Sequence, residues 1–365
     1  MAAVRVAFDV GPLAAPRTGI GHAVAAMHAE LGARDDVELT DYLISFRARP
    51  EEGVRRLPLP ALVAHRLWSH FDHPRADRWM GDAQVVHGTN YVVPPSRLPR
   101  VVSVYDCWFL RHPSAAGGDV RRAGRVLARA VAGGVAVHAC SQATATSIAE
   151  HLPGAVVEVV PLGALPVAAP PPRPPIPELE GRSFVLAIGT LERRKNLPRL
   201  VEAFGLAASE QPDVALVLAG SDGDDRAAID KAIDALGPAV ARRVLLTGRV
   251  DDGARSWLLH HAAVLAYPSL DEGFGFPLLD AMQVGVPIVA STAGSIPEIA
   301  GDAALLGAPD DAAGMAANLL AALGDTEVRS RLVAAGSVRW RQFTWQRCAA
   351  GMAGLYGRLA DGEAR

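Results

Sequence analysis

The stretch FVLAIGTLERRKNLPRLVEAFGLAASEQPDVALVLAG, residues 184–220, contains two apolar runs separated by a segment with helical spacing. The runs FVLAIG and VALVLAG are continuous, and each ends on a glycine. Between them, NLPRLVEAFGLAA (196–208) repeats its apolar residues at the spacing of one helix face. We therefore expect a strand, a helix and a second strand, and continuous apolar strands indicate a parallel sheet buried on both faces.

The same alternation extends along the chain in both directions. Strand-like runs follow at 243–249, 263–269 and 286–291, and others precede at 4–10, 83–89, 101–107, 135–141 and 157–163. We predict an α/β fold of two Rossmann-like, doubly wound domains, which suits a chain of 365 residues. Because ligands of such folds bind at the carboxyl ends of the strands, we expect a ligand in a central cleft that the two domains face.

A proline-rich segment, PVAAPPPRPPIPELE (166–180), marks the expected domain boundary. Its seven prolines exclude a helix or a central strand and predict an extended, semi-rigid linker. We expect an N-terminal domain over 1–165 and a C-terminal domain over 181–340. The sequence leaves open which domain the final helical stretch, about 344–361, packs on, and the N-terminal domain is one choice.

The composition excludes several classes of protein. Thirty-six basic and 39 acidic residues leave a formal charge of −3, without the basic excess of a nucleic-acid surface. We expect neither a transmembrane helix nor a signal peptide, because no long apolar window or basic leader is present. Cys107, Cys140 and Cys348 lack metal-ligand spacing, which favours reduced thiols in the cytoplasm and no metal site.

The segment DEGFGFPLLDAMQVGVPIVAS (271–291) is the most informative for chemistry. Pro277 suits the first position of a helix and Gly285 suits the residue past its end, which predicts a helix over about 277–284. Backbone N–H groups near Phe274, Gly275 and Phe276 can then face a ligand. Since a helix N-terminus attracts anions, a phosphate site is expected there.

Two carboxylates flank this predicted anion site. Glu272 precedes the helix, and because a carboxylate repels phosphate, we expect it to accept hydrogen bonds from hydroxyl groups. Asp280 lies about one helical turn further on, several ångströms away. A nucleotide sugar has hydroxyl groups on both sides of a phosphate and matches this layout. A helix cap followed by a charged first turn is the alternative interpretation.

Basic residues follow the first strand of the second domain. GTLERRKN (189–196) places Arg193, Arg194 and Lys195 where a diphosphate would need fixed positive charge. Lys195 stands out because Lys231 is the only other lysine in the chain. A solvated basic loop is the alternative interpretation.

A short glycine pattern follows the first strand of the chain. PRTGIGHAV (16–24) contains Gly19 and Gly21 and is expected to form a loop that enters a helix. Such a loop can approach a phosphate, and a simple tight turn explains the pattern equally well.

Five segments, in this order and spacing, resemble the family-4 glycosyltransferases. They are VYDCWFLRHP (104–113), CSQAT (140–144), GTLERRKN (189–196), EGFGFPLLDAM (272–282) and GSIPEIAGDAALL (294–306). Among the members of this family, the segments are most similar in sequence to the mannosyl- and rhamnosyl-transferring branch. The resemblance is strongest from about residue 184 to residue 308. It implies the GT-B architecture, retaining transfer from a nucleotide sugar, and no metal or other cofactor.

The resemblance also implies roles for individual residues. Glu272 matches an acid that contacts hydroxyls of the donor sugar, and Lys195 with Arg194 matches a basic pair that binds the diphosphate. Catalytic roles are implied for Glu272, Lys195, Arg194, Tyr105 and Asp106. Donor-binding roles are implied for Gly19, Gly21, Gly189, Thr190, Gly273, Phe274, Gly275, Phe276 and Asp280.

Three positions depart from the family pattern. Asp280 stands where relatives have a second Glu that holds the ribose, so this contact is expected to be looser or rearranged. Thr190 stands where many relatives have an arginine, which puts one phosphate contact in doubt. Tyr105 precedes Asp106 where relatives commonly have histidine, and a catalytic role of that histidine must pass to the tyrosine or be lost.

We therefore expect a retaining glycosyltransferase that moves a hexose, with GDP-mannose as the leading donor, to a hydroxyl group of an acceptor. A glycan, a lipid-linked sugar and a natural product all remain open as acceptors. One alternative is a nucleotide-sugar-binding protein that has lost catalysis. Another is a related two-Rossmann enzyme, such as a sugar-phosphate synthase.

One basic helix suggests a further partner. The run RRAGRVLARAV (121–131) places Arg121, Arg122, Arg125 and Arg129 near one helical face. A solvated helix surface is the leading interpretation of this face, and weak peripheral contact with anionic lipid is the alternative.

Overall fold

The computed structural model describes residues 3–14, 19–45, 52–114 and 117–363. The chain divides into two compact units, the first Met1–Gly163 with Phe343–Arg365 and the second Ala164–Gln342. Each unit contains a parallel sheet, so the predicted α/β fold of two Rossmann-like domains is confirmed.

The first unit alternates strands and helices along the chain. Its elements before the proline-rich segment are β1 (Val4–Asp9), α1 (Gly19–Gly32), β2 (Val37–Ile44), β3 (Arg55–Leu57), α2 (Ala61–Trp68), β4 (Val85–Gly88), β5 (Arg100–Val104), α3 (Trp108–Arg111), α4 (Gly118–Ala132), β6 (Ala136–Ala139), α5 (Gln142–His151) and β7 (Val156–Val159). The strands form one parallel sheet in the order β3-β2-β1-β4-β5-β6-β7.

The apolar runs identified five of these seven strands but missed β2 and β3. The sequence of β2, VELTDYLI, mixes polar with apolar residues, and four of its first five residues are exposed or only partly buried. The three-residue β3 lies at the edge of the sheet with both arginines exposed. Neither strand has the continuous apolar pattern of a strand covered on both faces, so a search for such runs overlooks them.

The second unit repeats the architecture with a smaller sheet. Its elements are β8 (Phe184–Ile188), α6 (Leu197–Ala207), β9 (Ala215–Ala219), α7 (Arg226–Asp234), α8 (Pro238–Ala241), β10 (Val244–Gly248), α9 (Asp252–His261), β11 (Val264–Tyr267), α10 (Phe276–Val284), β12 (Ile288–Ser291), α11 (Ile296–Ala300), β13 (Ala304–Gly307), α12 (Ala312–Gly324) and α13 (Thr326–Arg339). The six strands are parallel, in the order β10-β9-β8-β11-β12-β13. Every residue of β9 is buried, as its apolar sequence ALVLA predicts.

The proline-rich segment 166–180 lies within the second unit rather than between units. It contains no helix or strand apart from one 3₁₀ turn at Pro177–Leu179, in keeping with its proline content. Its chain is packed against the unit: the carbonyl of Ala168 accepts a hydrogen bond from Ser256, and Leu179 is buried. The segment that we expected to be a linker therefore forms part of the second unit.

The last helix, α14 (Trp345–Ala360), returns to the first unit. It packs against α1, β1 and β4, and eight of its residues are buried. The Tyr356 hydroxyl lies 2.7 Å from Nδ1 of His87, on β4. The structure thus resolves the choice that the sequence left open for the C-terminal helix.

A chain of buried hydrogen bonds links this helix to three strands. His87 Nε2 lies 2.8 Å from the hydroxyl of Ser103, which lies 2.8 Å from Nδ1 of His138. His138 Nε2 lies 2.9 Å from the carbonyl of Val160. Because that carbonyl can only accept, Nε2 of His138 carries a proton; when both histidines are neutral, the hydrogen bonds then run in one direction, from Tyr356 toward Val160. Burial lowers the pKa of His138 to about 4 and that of His87 well below its usual value.

This chain predicts acid sensitivity of the first unit. In the unfolded state His138 binds a proton below about pH 6.5, whereas in the fold it stays neutral to about pH 4. The unfolding free energy therefore falls as pH falls through this window, by at most about 1.4 kcal/mol per pH unit per histidine. Urea unfolding of H138Q, which cannot titrate, is expected to show a shallower pH dependence than the native protein. H112Q, a substitution of an exposed histidine, is the control. Equal slopes of unfolding free energy against pH for H138Q and the native protein would contradict the assignment of a buried, neutral His138.

Candidate active site

The predicted basic residues and Glu272 meet at the carboxyl ends of two neighbouring strands. Arg194 and Lys195 lie in a single 3₁₀ turn after β8, and Glu272 lies in the loop after β11. The strands β8 and β11 are adjacent in the sheet. From β8 the chain continues to β9 and β10 toward one edge of the sheet, and from β11 it continues to β12 and β13 toward the other edge. Such a switch point leaves a crevice at the strand ends, which is where doubly wound folds bind ligands.

Glu272 is buried and holds both cations. Its Oε1 accepts hydrogen bonds from Lys195 Nζ at 2.6 Å and from the Ser269 hydroxyl at 2.7 Å. Its Oε2 accepts from a guanidinium N–H of Arg194 at 2.5 Å. Arg194 also pairs with Glu192 at 2.8 Å, and Lys195 donates to the hydroxyl of Tyr267 at 3.3 Å. Sequence reasoning placed Glu272 and the two cations near one ligand, and the structure brings them into direct contact.

The two cations keep Glu272 ionised. Burial alone would raise the pKa of this carboxyl, but the charges of Lys195 and Arg194 and the hydrogen bonds outweigh it and lower the pKa to about 2. Burial and the charge of Glu272 together raise the pKa of Tyr267 well above its usual value, so its hydroxyl stays protonated. The cluster is therefore a fixed arrangement of charges at neutral pH.

Gly189 allows Lys195 to reach this position. The φ of Gly189 is +139°, and a Cβ there would lie 3.3 Å from Cε of Lys195. A Cβ on Gly220 would lie 1.8 Å from the carbonyl oxygen of Gly189. Both glycines are thus required by close approach at the end of β8. Thr190, the next residue, is exposed.

The backbone of the Glu272 loop is tied to the segment that follows β12. The N–H of Ser295 donates to the Glu272 carbonyl at 2.9 Å, and the Ser295 hydroxyl donates to the carbonyl of Phe274 at 3.1 Å. Gly294 has a φ of +55°, and a Cβ there would lie 2.5 Å from the Glu272 carbonyl oxygen. Asn196, from the turn after Lys195, donates from its side chain to the carbonyl of Pro268 at 3.1 Å. These bonds hold the carboxylate in one position.

The helix after this loop has the predicted limits. Helix α10 spans Phe276–Val284, Pro277 lies in its first turn, and Gly285 ends it with a φ of +73°. Gly275 precedes it with a φ of +96°. The ring of Phe274 is buried and packs edge-on against Phe276 at 5.3 Å, so Gly273–Phe276 form an ordered entry to the helix.

The structure does not group Asp280 with the cations that hold Glu272. Asp280 is 1% exposed, and it forms an ion pair with Arg255 of α9. Burial raises its pKa to about 6, against the opposing charge of Arg255. Its Oδ1 is buried without a hydrogen-bond donor within the described residues. Arg255 was not identified from the sequence, because only the packing of α9 against α10 brings it to Asp280.

The remaining predicted site residues belong to the first unit. Gly19 and Gly21 lie in the first turn of α1 rather than in a loop, and residues 15–18 of the same motif lie outside the described residues. Tyr105 is buried, which raises its pKa, and its hydroxyl donates to the carbonyl of Thr89 at 2.9 Å. Asp106 accepts a hydrogen bond from the N–H of Trp108 at 3.1 Å.

Two further observations concern the described residues as a set. Among them, no three His, Cys, Asp or Glu side chains lie close enough together to bind one metal ion. No described helix has the length and apolar character needed to span a bilayer.

Because Gly294 packs closely against the Glu272 backbone, a methyl group added at position 294 is expected to lower the unfolding free energy. Gly285 also has a positive φ, but a Cβ there would meet nothing nearer than Val333 at 3.6 Å. G285A is therefore expected to lower the unfolding free energy by about 1 kcal/mol, the cost of its backbone conformation. G294A is expected to cost about 1–3 kcal/mol more, because the methyl group overlaps the Glu272 carbonyl. Urea unfolding measures both, and equal losses would contradict the assigned contact.

Comparison with known proteins supports this picture. Residues 172–339, most of the second unit, match the family described as Glycosyl transferases group 1. The O-antigen chain mannosyltransferase B of Escherichia coli is 28% identical over 383 residues, covering 94% of this chain and 97% of that protein. The phosphatidyl-myo-inositol mannosyltransferase of Mycolicibacterium smegmatis is 34% identical over 170 residues, covering 46% of this chain and 42% of that protein.

A solved structure shows the same fold over the whole chain. The sucrose-phosphate synthase of Thermosynechococcus elongatus superimposes with a TM-score of 0.73 at 18% identity, covering 98% of this chain and 100% of that one. With the sequence relatives, this fold confirms the resemblance found in the motifs. Residues 172–339 thus carry the glycosyltransferase group 1 domain, the chain has the GT-B fold, and its relatives support the resemblance to family-4 glycosyltransferases of the mannosyl-transferring branch.

Proposed function

We propose that the protein is a retaining mannosyltransferase that uses GDP-mannose and needs no metal ion. The acceptor is a hydroxyl group on a glycan, a lipid-linked sugar or a natural product. The names of two relatives, both mannosyltransferases, support mannose as the sugar. The three buried cysteine thiols support a reducing compartment, so we propose that the protein acts in the cytoplasm.

The observation that carries the proposal is the contact of Glu272 with Arg194 and Lys195. Two partly buried cations are the groups that a diphosphate requires, since charge-assisted hydrogen bonds to phosphate are strong. A bound diphosphate would take over hydrogen bonds that Arg194 and Lys195 now donate to Glu272. Before the donor binds, Glu272 is ionised because its pKa is about 2, and the carboxylate oxygens that the cations release can then accept hydrogen bonds from hydroxyls of the sugar.

The chemistry that we propose is stabilisation of the leaving group. The bond between the anomeric carbon and the diphosphate oxygen breaks, and the acceptor oxygen bonds to the same face of that carbon. The acceptor proton passes to the leaving phosphate, so no protein nucleophile is required. Lys195 and Arg194 offset the developing negative charge, the role that a metal ion has in other transferases.

The other predicted site residues receive supporting roles. We propose that Gly189, Thr190 and the Gly273–Phe276 entry to α10 border the diphosphate, and that Asp280 reaches the ribose. For Gly19, Gly21, Tyr105 and Asp106, which lie in the first unit, we keep the roles that the family resemblance implies. For Asp280 the ion pair with Arg255 supports a rearranged ribose contact, because the guanidinium already takes one of its carboxylate oxygens.

A panel of nucleotide sugars tests the function. GDP-mannose, UDP-glucose, GDP-fucose and UDP-N-acetylglucosamine are each incubated with the protein and methyl glycoside acceptors, and release of nucleoside diphosphate is followed. The fastest release is expected with GDP-mannose, it is expected to continue at full rate in EDTA, and the product is expected to be the α-anomer by NMR. Loss of activity in EDTA would contradict metal independence, and a β-linked product would contradict retention.

The two lysines supply a matched pair of variants for the same assay. K195A is expected to weaken GDP-mannose binding by about tenfold or more, the value of one hydrogen bond to a charged group. K231A changes the other lysine, on α7, and is expected to bind the donor normally. Tight donor binding without turnover, for every acceptor, would favour the alternative of a nucleotide-sugar-binding protein that has lost catalysis. Turnover only with sugar phosphates as acceptors would favour a sugar-phosphate synthase.

We also propose weak contact between α4 and an anionic membrane surface. Arginines lie on α4, and exposed apolar side chains lie on α4 and on α2, which packs against it. The arginines are Arg121, Arg122, Arg125 and Arg129, and the apolar side chains are Val120, Leu62 and Val63. Arg122 pairs with Asp119 at 2.6 Å, whereas Arg121, Arg125 and Arg129 are exposed. Basic and apolar side chains on one surface suit an interface with anionic lipid.

Co-sedimentation with vesicles tests this contact. Binding to equimolar phosphatidylglycerol and phosphatidylcholine is expected at low salt, and it is expected to decrease as salt screens the charges. The triple variant R121Q/R125Q/R129Q is expected to lose binding, while the same three exchanges at Arg199, Arg226 and Arg331 in the second unit serve as the control. Equal sedimentation of the two triple variants would show instead that α4 is an ordinary solvated surface.

A further inference from the structure

A buried tyrosine contacts the candidate active site and has no role in the function proposed above. Tyr267 is the last residue of β11, is 3% exposed, and is the only tyrosine in the sequence of the second unit. Its hydroxyl accepts a hydrogen bond from Lys195 Nζ at 3.3 Å, and Nζ lies 5.0 Å from the centre of its ring. An ammonium group this close to an aromatic ring is attracted by the electrons of the ring. Tyr267 therefore holds Lys195 through its hydroxyl group and through its ring.

The ammonium group of Lys195 has three N–H groups to place. Among the described residues it has two acceptors, Oε1 of Glu272 at 2.6 Å and the hydroxyl of Tyr267 at 3.3 Å. The third N–H group is thus left for a ligand. In the function proposed above, a bound diphosphate takes over the hydrogen bond to Glu272. The contact with Tyr267 is then the one by which the protein still orients the ammonium group.

Tyr267 is a neutral acceptor, unlike Glu272. Burial, and after it the charge of Glu272, raises the pKa of Tyr267 well above its usual value, so the hydroxyl keeps its proton. An anionic acceptor offsets part of the positive charge of a lysine, whereas a neutral hydroxyl leaves that charge for an anionic ligand. Tyr267 can therefore fix the direction of the Lys195 ammonium group without weakening its attraction for phosphate.

The position of the tyrosine is itself fixed by the elements around it. In the sheet, Tyr267 is paired in register with Ala290 of β12. A Cβ on Gly275 would lie 3.6 Å from Cε1 of Tyr267, so the residue before α10 lies against the edge of the ring. The carbonyl of the next residue, Pro268, accepts a hydrogen bond from the side chain of Asn196 at 3.1 Å. Because a strand, a helix entry and the turn after Lys195 all meet here, the hydroxyl is preorganised.

We propose that Tyr267 is a positioning residue, which keeps the ammonium group of Lys195 directed at the donor diphosphate once Glu272 no longer accepts its hydrogen bond. This inference rests on the proposed function, because it is the diphosphate that takes Lys195 from Glu272. Tyr267 acts through Lys195 and does not touch the reacting atoms. Since the negative charge on the leaving diphosphate grows as the glycosidic bond breaks, a misdirected ammonium group lowers the rate of transfer more than the affinity for the donor.

The variant Y267F removes the hydroxyl group and keeps the ring with its packing. Its single-turnover rate at saturating GDP-mannose is expected to fall about threefold to tenfold, the value of one hydrogen bond. The KM for GDP-mannose is expected to stay within twofold of the native value, because the lost contact matters most in the transition state. Y42F is the matched control, since the hydroxyl of the buried Tyr42 in the first unit also makes one hydrogen bond, to the carbonyl of His87 at 3.2 Å. Y42F is expected to keep the native rate.

A double-variant cycle with K195A shows whether Tyr267 acts through the lysine. If it does, Y267F lowers the single-turnover rate of the native protein but leaves that of K195A within twofold, because the two changes remove one interaction. The same fold decrease in both backgrounds would overturn the proposal, since the tyrosine would then act on the general stability of the site. An unchanged rate in Y267F would overturn it as well.

Lysine side-chain NMR with pyrophosphate as the probe tests the inference without any turnover. The chain has only two lysines, so protein labelled with ¹³C at the lysine Cε gives two signals, and K231A assigns the signal of Lys195. With saturating pyrophosphate, the order parameter of Lys195 is expected to be lower in Y267F than in the native protein, and that of Lys231 to be equal in both. Equal mobility of Lys195, or a Lys195 signal that pyrophosphate does not shift, would overturn the proposal. Failure of every nucleotide sugar to turn over, with the difference at Lys195 intact, would overturn only the proposed function.

Discussion

The contact of Glu272 with Lys195 and Arg194 is the constraint on which the second unit's chemistry depends. A buried carboxylate such as Glu272 is unstable without positive charge nearby, and the two partly buried cations lose less hydration when a carboxylate pairs with them. Each therefore holds the others at the ends of β8 and β11, with Oε1 and Oε2 at 2.6 and 2.5 Å from their donors. Because these bonds need no ligand, the positive charge is already in place for the leaving diphosphate that we propose.

The two units share one sheet arrangement, but side chains of opposite charge lie at the ends of their strands. Each has a switch point in a parallel sheet, β8/β11 in one and β1/β4 in the other. The second unit presents the cations Arg194 and Lys195 there, whereas the first presents the buried Asp9 carboxyl at the end of β1.

Local patterns predicted much of the fold and part of the site. The limits of α10 followed from Pro277 and Gly285, because proline and glycine act through their own backbone conformation. The grouping of Glu272 with the basic turn followed from the rule that parallel strand ends share one edge. The pairing of Asp280 with Arg255 had no such signal, since it depends on how α9 packs against α10. Asp9 follows a strand like many other aspartates, and only its burial distinguishes it.

The sequence by itself determined the α/β class, most of the strands and the residue types that lie at the ends of β8 and β11, because apolar periodicity and turn residues act within a few positions of one another. The tertiary structure alone decided which unit holds α14, how Glu272 divides its two oxygens between Arg194 and Lys195, and where Asp9 and Tyr105 lie. These features join residues that are distant along the chain. Their energies come from burial and from hydrogen bonds that exist only after the sheets have formed, so no local pattern records them.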